Sequence, residues 1–288
     1  LSILEKVEIM VSEYKTLRIR RDGGISHVTL DSPPVNVLGV QMFADLHDYL
    51  TKVREDETLK VIIFDSAVPD FFIAHVDMSL IDQPQAFDAL LALAPEGLNI
   101  FQALGEMLRH QPQVTIVKLE GQARGGGAEF VAAADMCFAA IGKAGLSQCE
   151  ALMGIVPGGG GTQYLAQKMT RNRALEVVLG ADVIDAETAA AWGWINRALP
   201  PETLTEHVER IAKNIANLAD GVISAAKSAL PAADLASGML TEHAAWAGLF
   251  SRPAAAELIR GGLRLGAQTP GGEAQLETIM RSLKPTVR

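Results

Sequence analysis

The chain has 288 residues, 49 % hydrophobic, 20 % charged and only 5 % aromatic, with a formal net charge of −9. Such a chain can bury a full core without disulfides or a metal, and its acidic, ring-poor composition argues against nucleic acid and the membrane surface as partners. Two cysteines, Cys137 and Cys149, cannot make a disulfide framework, and no apolar stretch reaches the roughly 20 residues of a bilayer span, so a cytoplasmic protein in a reducing compartment is expected.

Charged residues Glu5, Lys6, Glu8, Glu13 and Lys15 interrupt the start, so no secretory leader stands out. Tyr14 to Arg20 alternates, Asp22-Gly23-Gly24 turns, and Ile25 to Leu30 alternates again, which predicts a β-hairpin. Met42, Phe43, Leu46, Tyr49, Leu50 and Val53 recur at helical spacing over 41–54. Lys60 to Asp65 and Val114 to Leu119 are short apolar runs of the kind buried on both faces. A helix is predicted over 96–110, another from Gly125 to Ala134, and strands over 136–140 and 145–149. Strands alternating with helices imply an α/β fold. After Pro200-Pro201 the pattern turns helical, with segments over 202–219, 222–230, 239–250, 254–265 and 275–283. The expected organisation is an α/β core over 14–205, then a helical region over 206–288.

The segment Gly121-Gln-Ala-Arg-Gly125-Gly126-Gly127-Ala-Glu129 follows a buried strand and opens a helix. Glycines there let an oxygen approach the backbone, and a helix start offers unpaired N–H groups, the geometry of an oxyanion or phosphate site. No Gly-Lys-Ser/Thr follows, so it is not a nucleotide phosphate loop. Taken alone, such a triplet more often marks tight helix–strand packing. Glu129 lies inside an apolar helix, where it is either a surface position or a buried carboxylate suited to acid–base chemistry. Glu150 stands where a short strand ends, ahead of the Pro157-Gly158-Gly-Gly-Gly161 turn, either solvated or as its partner.

Four pieces taken together resemble the crotonase (enoyl-CoA hydratase/isomerase) family: Phe72-Ile-Ala74-His75-Val-Asp77, Gly121 to Glu129, Gln148 to Gln163, and Ala186 to Asn196. The resemblance spans roughly 14–205. It implies a right-handed spiral of ββα turns with C-terminal helices that form a homotrimer or a dimer of trimers. It also implies an acyl-CoA thioester substrate, with coenzyme A part of the substrate and no separate cofactor or metal. By motif position the backbone N–H groups of Ala74 and Gly126 would form the oxyanion hole, each worth about 2.7–4 kcal/mol. Glu129 and Glu150 map onto the two hydratase glutamates, and Phe72, His75, Asp77, Gly125, Pro157 and Gly158 onto substrate-binding positions. The implied activity is that of a hydro-lyase adding water to a trans-2-enoyl-CoA. Isomerisation, thioester hydrolysis, C–C cleavage and silent acyl-CoA binding are the alternatives.

The chain departs from the family pattern in places. His75 replaces a usual glycine and either narrows the pocket or lies outside it. Arg124 either forms an ion pair or meets the pantetheine arm. Cys149 reads as a small packing residue. Ser32-Pro33-Pro34 replaces a basic motif, leaving Arg18, Arg20, Lys60 and Lys143 as candidates for the CoA phosphates. The acyl tail is expected to meet residues 83–101 and the C-terminal helices.

Overall fold

The computed structural model describes residues 14–83 and 85–286. β1 (Leu17–Asp22) and β2 (Ile25–Leu30) form the expected hairpin, with Leu17 opposite Leu30 and Asp22 opposite Ile25. Helix α1 (Val40–Arg54) buries Met42, Phe43, Leu46, Tyr49 and Leu50, the stripe its spacing dictated.

From there each turn of chain lays one strand in each of two sheets and returns through helix. β3 (Val61–Ser66) and β4 (Phe71–Ile73) are followed by α2 (Asp88–Leu91) and α3 (Ile100–Arg109). β5 (Val114–Leu119) and β6 (Gln122–Arg124) precede α4 (Gly126–Ala133). β7 (Met136–Ala140) and β8 (Gly145–Ser147) precede α5 (Gly161–Lys168) and α6 (Arg171–Leu175). β9 (Ile184–Asp185), α7 (Ala186–Trp192) and β10 (Arg197–Leu199) close the spiral. The sheets run β1-β2-β3-β5-β7-β10 and β4-β6-β8-β9, parallel apart from the β1–β2 and β8–β9 pairs. This is the ββα spiral expected of the crotonase fold.

The apolar runs are explained by burial on both faces. In β3, Ile62 and Phe64 enter the main core with Phe130 and Leu104, while Val61 and Ile63 face Leu204, Val208 and Ala212 of α8 (Pro201–Ala216). A boundary drawn after residue 205 therefore falls inside α8, which covers the first sheet. The chain continues through α9 (Val222–Ala229), α10 (Ala236–Phe250), α11 (Pro253–Arg264), α12 (Pro270–Glu273) and α13 (Leu276–Ser282). Ala255, Leu258, Ile259, Leu276 and Met280 of this region share one core with Met78, Cys149 and Met153 of the spiral.

Two expectations shift locally. The helix expected from 96 begins at Ile100, because Asn99 accepts from the N–H groups of Phe101 and Gln102 and Gln102 reaches back to the Asn99 N–H, a capping box. The strand expected over 145–149 stops at Ser147, and Cys149–Met153 is a 3₁₀ turn that carries Glu150.

Candidate active site

Because β4, β6 and β8 are parallel neighbours, their C-terminal ends meet along one edge of the second sheet. The loop after β4, the start of α4 after β6 and the 3₁₀ turn after β8 thus come together. They line a cavity of about 360 Å³ that holds His75, Val76, Gly125, Gly126, Glu129 and Glu150.

The glycines permit this approach. Gly125 has φ +49° at the turn into α4, a conformation an L side chain rarely adopts. A Cβ on Gly127 would lie 2.3 Å from the Ile73 carbonyl oxygen, so the helix start sits directly against β4.

The backbone donors differ from the motif-based assignment at one position. The Ala74 N–H is already spent on the Val35 and Asn36 carbonyls, each at 3.3 Å, and Ala74 does not line the cavity. Val76 does. In its bridge with Leu38, the Leu38 N–H goes to the His75 carbonyl and the Asp77 N–H to the Leu38 carbonyl, so the Val76 N–H has no acceptor among the described residues. Gly126, first residue of α4, likewise has an N–H with no intrahelical partner. A Cβ on Gly126 would meet Val76 Cγ2 at 2.7 Å, which makes the two residues immediate neighbours. The free donor pair is therefore Val76 and Gly126.

Both predicted glutamates are in the cavity and buried, Glu129 being 5 % and Glu150 8 % exposed. Glu129 Oε1 accepts the N–H groups of Gly159 (2.7 Å) and Gly161 (2.9 Å). Burial and the charges of Glu150 and Glu242 push its carboxyl well above the usual carboxylate range, against the pull of those two donors. Burial, with the Glu242 charge, pushes Glu150 up to about 8. With its nitrogen turned toward Glu150, the Gln148 amide reaches the two carboxylate oxygens at 3.1 and 3.2 Å.

Sequence reasoning missed a third buried carboxylate, Glu242 on α10. It accepts the N–H groups of Gly160 (2.6 Å) and Thr162 (2.8 Å), the Thr162 hydroxyl and the Gln102 amide (3.1 Å), and so pins the glycine-rich turn that holds Glu129. A signal was present: Glu242, Trp246 and Phe250 repeat every four residues, and Glu242 is the one carboxylate on that helix. Glu242→Gln places an amide NH2 against donors that need an acceptor. It is expected to cost about 1–3 kcal/mol of stability, read as a lowered urea midpoint.

Most of the remaining wall is apolar. Met78, Leu80, Ile81, Phe87 and Leu91 face Met153, Trp246, Phe250 and Ile259. Trp246 stacks between His243 and Phe250, at ring separations of 6.0 and 4.9 Å, and Gly158 lies beneath it, where a Cβ would come within 2.6 Å. The segments expected to meet the acyl tail thus do line the cavity. Three residues expected to bind substrate do not. Phe72 is in the core against Phe130. Asp77 caps the 3₁₀ turn Met78–Asp82 by accepting the Ser79 N–H. Pro157 is buried behind the glycine turn.

Cys149 is buried and free, and burial pushes its thiol well above the usual range, so it packs rather than reacts. Of the phosphate candidates, Arg18 pairs with Asp31 and Lys60 with Asp220 at 2.7 Å. Among the described residues no group of three His, Cys, Asp or Glu is placed to hold a metal, and no helix is long and apolar enough to cross a membrane.

A two-sheet ββα spiral with paired buried carboxylates beside two free backbone donors is the arrangement that the crotonase resemblance implies. The sequence profile described as Enoyl-CoA hydratase/isomerase matches residues 20–265, and the chain belongs to that family, the crotonases. Over 213 residues it is 30 % identical to the carnitinyl-CoA dehydratases of Shigella flexneri and Escherichia coli K12, covering 74 % of this chain and 79 % of theirs. A Streptomyces avermitilis crystal structure, provisionally called an enoyl-CoA hydratase, is 61 % identical and superposes with a TM-score of 0.92 over 93 % of this chain and 98 % of that one. An enoyl-CoA hydratase structure from Geobacillus kaustophilus is 25 % identical, with a TM-score of 0.69 over 88 % and 96 % of the two chains.

Proposed function

We propose that this protein catalyses the reversible addition of water to a trans-2-enoyl-CoA, giving a 3-hydroxyacyl-CoA. The observation that carries this reading is the meeting of two buried carboxylates, Glu129 and Glu150, with two free N–H groups in one cavity. Val76 and Gly126 would hold the thioester oxygen. Glu129 would take a proton from water as its oxygen adds to C3. The π electrons would move onto the thioester oxygen as an enolate, and Glu150 would deliver a proton to C2. Two like charges in one buried site cannot both ionise easily, so the pair supplies one base and one acid. Dehydration runs the same steps backward with the roles exchanged. Coenzyme A enters as part of the substrate, and the steps call for no metal or further cofactor.

Isomerisation and thioester hydrolysis use the same enolate-holding donors but need only one of the carboxylates, so the pair favours hydration. Apart from Glu129 and Glu150, no acidic residue lines the cavity among the described residues, which favours a neutral, apolar acyl tail over a cationic one. Crotonyl-CoA, longer and aromatic enoyl-CoA thioesters should lose their enoyl absorbance when the protein is added. The reading fails if none is hydrated, and binding without turnover would mark a silent member instead.

The same reading includes a reducing cytoplasm, supported by the free buried Cys137 and Cys149, and a homotrimer or pair of trimers. Exposed Leu218, Val222, Leu230 and Leu240 of the C-terminal region offer apolar surface for such contacts, and sedimentation would count the copies.

A further inference from the structure

Two of the departures from the family pattern, His75 and Arg124, belong to one buried charge cluster beside the cavity. His75 Nδ1 lies 2.7 Å from the Val76 carbonyl oxygen and Nε2 lies 2.9 Å from Glu273 Oε1. The same Glu273 oxygen accepts the Gln268 N–H at 2.8 Å, and its other oxygen accepts from Arg124 Nη1 at 3.3 Å. Arg124 also donates from Nε to Glu277 at 2.7 Å and from Nη2 to the Glu273 carbonyl at 2.9 Å. His75 immediately precedes Val76, and Arg124 lies two residues before Gly126. Each member of the donor pair is thus tied, through its neighbour, to the same C-terminal segment.

Both nitrogens of the His75 ring face oxygens that only accept, a carbonyl and a carboxylate already holding other donors. A neutral ring has one N–H and would leave one nitrogen lone pair against an oxygen; only the imidazolium satisfies both. Two cations, His75 and Arg124, then balance two carboxylates, Glu273 and Glu277, as a buried cluster requires. The remaining ionisable groups around the ring are Glu150 across the cavity, Asp77, which accepts the Gln268 amide at 2.8 Å, and the Cys149 thiol. Burial pushes the ring toward neutrality, but the Glu273 hydrogen bond and charge and the Val76 carbonyl overcome it, while Glu273 stays below the usual carboxylate range despite its burial.

We propose that His75, locked as an imidazolium between Val76 and Glu273, is a positioning residue that fixes the Val76 donor and sets a positive charge behind the site of the developing enolate. The segment from Gln268 to Glu277 thereby becomes part of the active-site machinery. This rests on the enolate reading above.

The test uses the full chain with ¹⁵N-labelled histidine. In the wild type both His75 ring nitrogens should appear as N–H at neutral pH, and in Glu273→Gln the ring should become neutral. The carbonyl stretch of bound butanoyl-CoA, a saturated thioester that cannot be hydrated, should be less polarised in Glu273→Gln and in His75→Asn. On crotonyl-CoA, kcat should fall about tenfold with KM nearly unchanged. A neutral His75 ring in the wild type overturns the proposal and needs no variant to fold. So does a neutralised ring in Glu273→Gln that leaves the carbonyl polarisation and kcat at wild-type values while the wild type hydrates crotonyl-CoA. A wild type that binds no thioester overturns the acyl-CoA reading and this role with it.

Discussion

Glu129→Gln is expected to lower kcat by about 10²–10⁴-fold, the range for losing a general base, with KM nearly unchanged. The same substitution should stabilise the fold at alkaline pH. The reason is the company Glu129 keeps. Its side chain is buried beside Glu150 and Glu242, and burial and both charges make its ionisation costly. Its folded pKa therefore lies above the unfolded value. A carboxyl shifted upward contributes stability fully below its ordinary pKa, and that contribution is lost as pH rises through the folded value. The glutamine amide that replaces it keeps an oxygen to accept the Gly159 and Gly161 N–H groups and has no charge to bury. The melting temperature of the variant should exceed that of the wild type by about 3 °C or more near pH 8.5, and the gap should shrink toward pH 5. A variant that retains wild-type kcat would remove Glu129 from the mechanism. A pH-independent gap would remove the buried-charge explanation.

This cost is tolerated because other contacts hold the carboxylates in place. Glu129 is held by backbone N–H groups from the glycine turn, that turn is pinned by Glu242, and Glu242 stands on a C-terminal helix. His75 and Arg124 are held from the same region, through Glu273 and Glu277. The spiral carries the paired carboxylates, and the helices after it set their geometry. That division explains why a helical region with little motif resemblance of its own bears so directly on the site.

How much of this was legible in the sequence depended on the range of the contacts. β3 and β5 could be read because runs such as Val61 to Phe64 need burial on both faces, a local signature. β4 and β6 could not, since three residues make no pattern. They exist because the spiral lays β4 beside β6 and β6 beside β8. Glu129 could be singled out as a charge inside an apolar helix, and Asn99 with Gln102 spells a capping box. The Ala74 assignment failed for a different reason. Which N–H stays free is decided by pairing with Val35, Asn36 and Leu38, far upstream in the chain, and no local motif reports that register. Glu242, His75 and Arg124 gain their meaning from partners still further away in sequence.

Gly126→Ala is expected to reduce kcat/KM by about 10²–10³-fold, the cost of losing an oxyanion donor, while leaving the melting temperature close to that of the wild type. Gly126 opens α4 without a left-handed backbone, so alanine fits its conformation and even improves helix propensity. What it lacks is room. The added methyl would stand 2.7 Å from Val76 Cγ2, on the residue that carries the other donor. The Val76 side chain must give way, and the spacing of the donor pair changes with it. Gly127→Ala should behave differently. Its methyl would meet the Ile73 carbonyl at 2.3 Å and Ile73 Cβ at 2.8 Å, backbone and strand that cannot rotate aside. That variant should lose about 1–3 kcal/mol of stability as well as activity. The decisive case is the double variant Gly126→Ala with Val76→Ala. Trimming Val76 removes the atom that clashes and leaves its N–H in place, so part of the lost rate should return, a coupling that a double-mutant cycle measures directly. If Gly126→Ala retains wild-type kcat/KM, the thioester oxygen is held somewhere other than between Val76 and Gly126. If the double variant recovers nothing, the loss does not come through their contact.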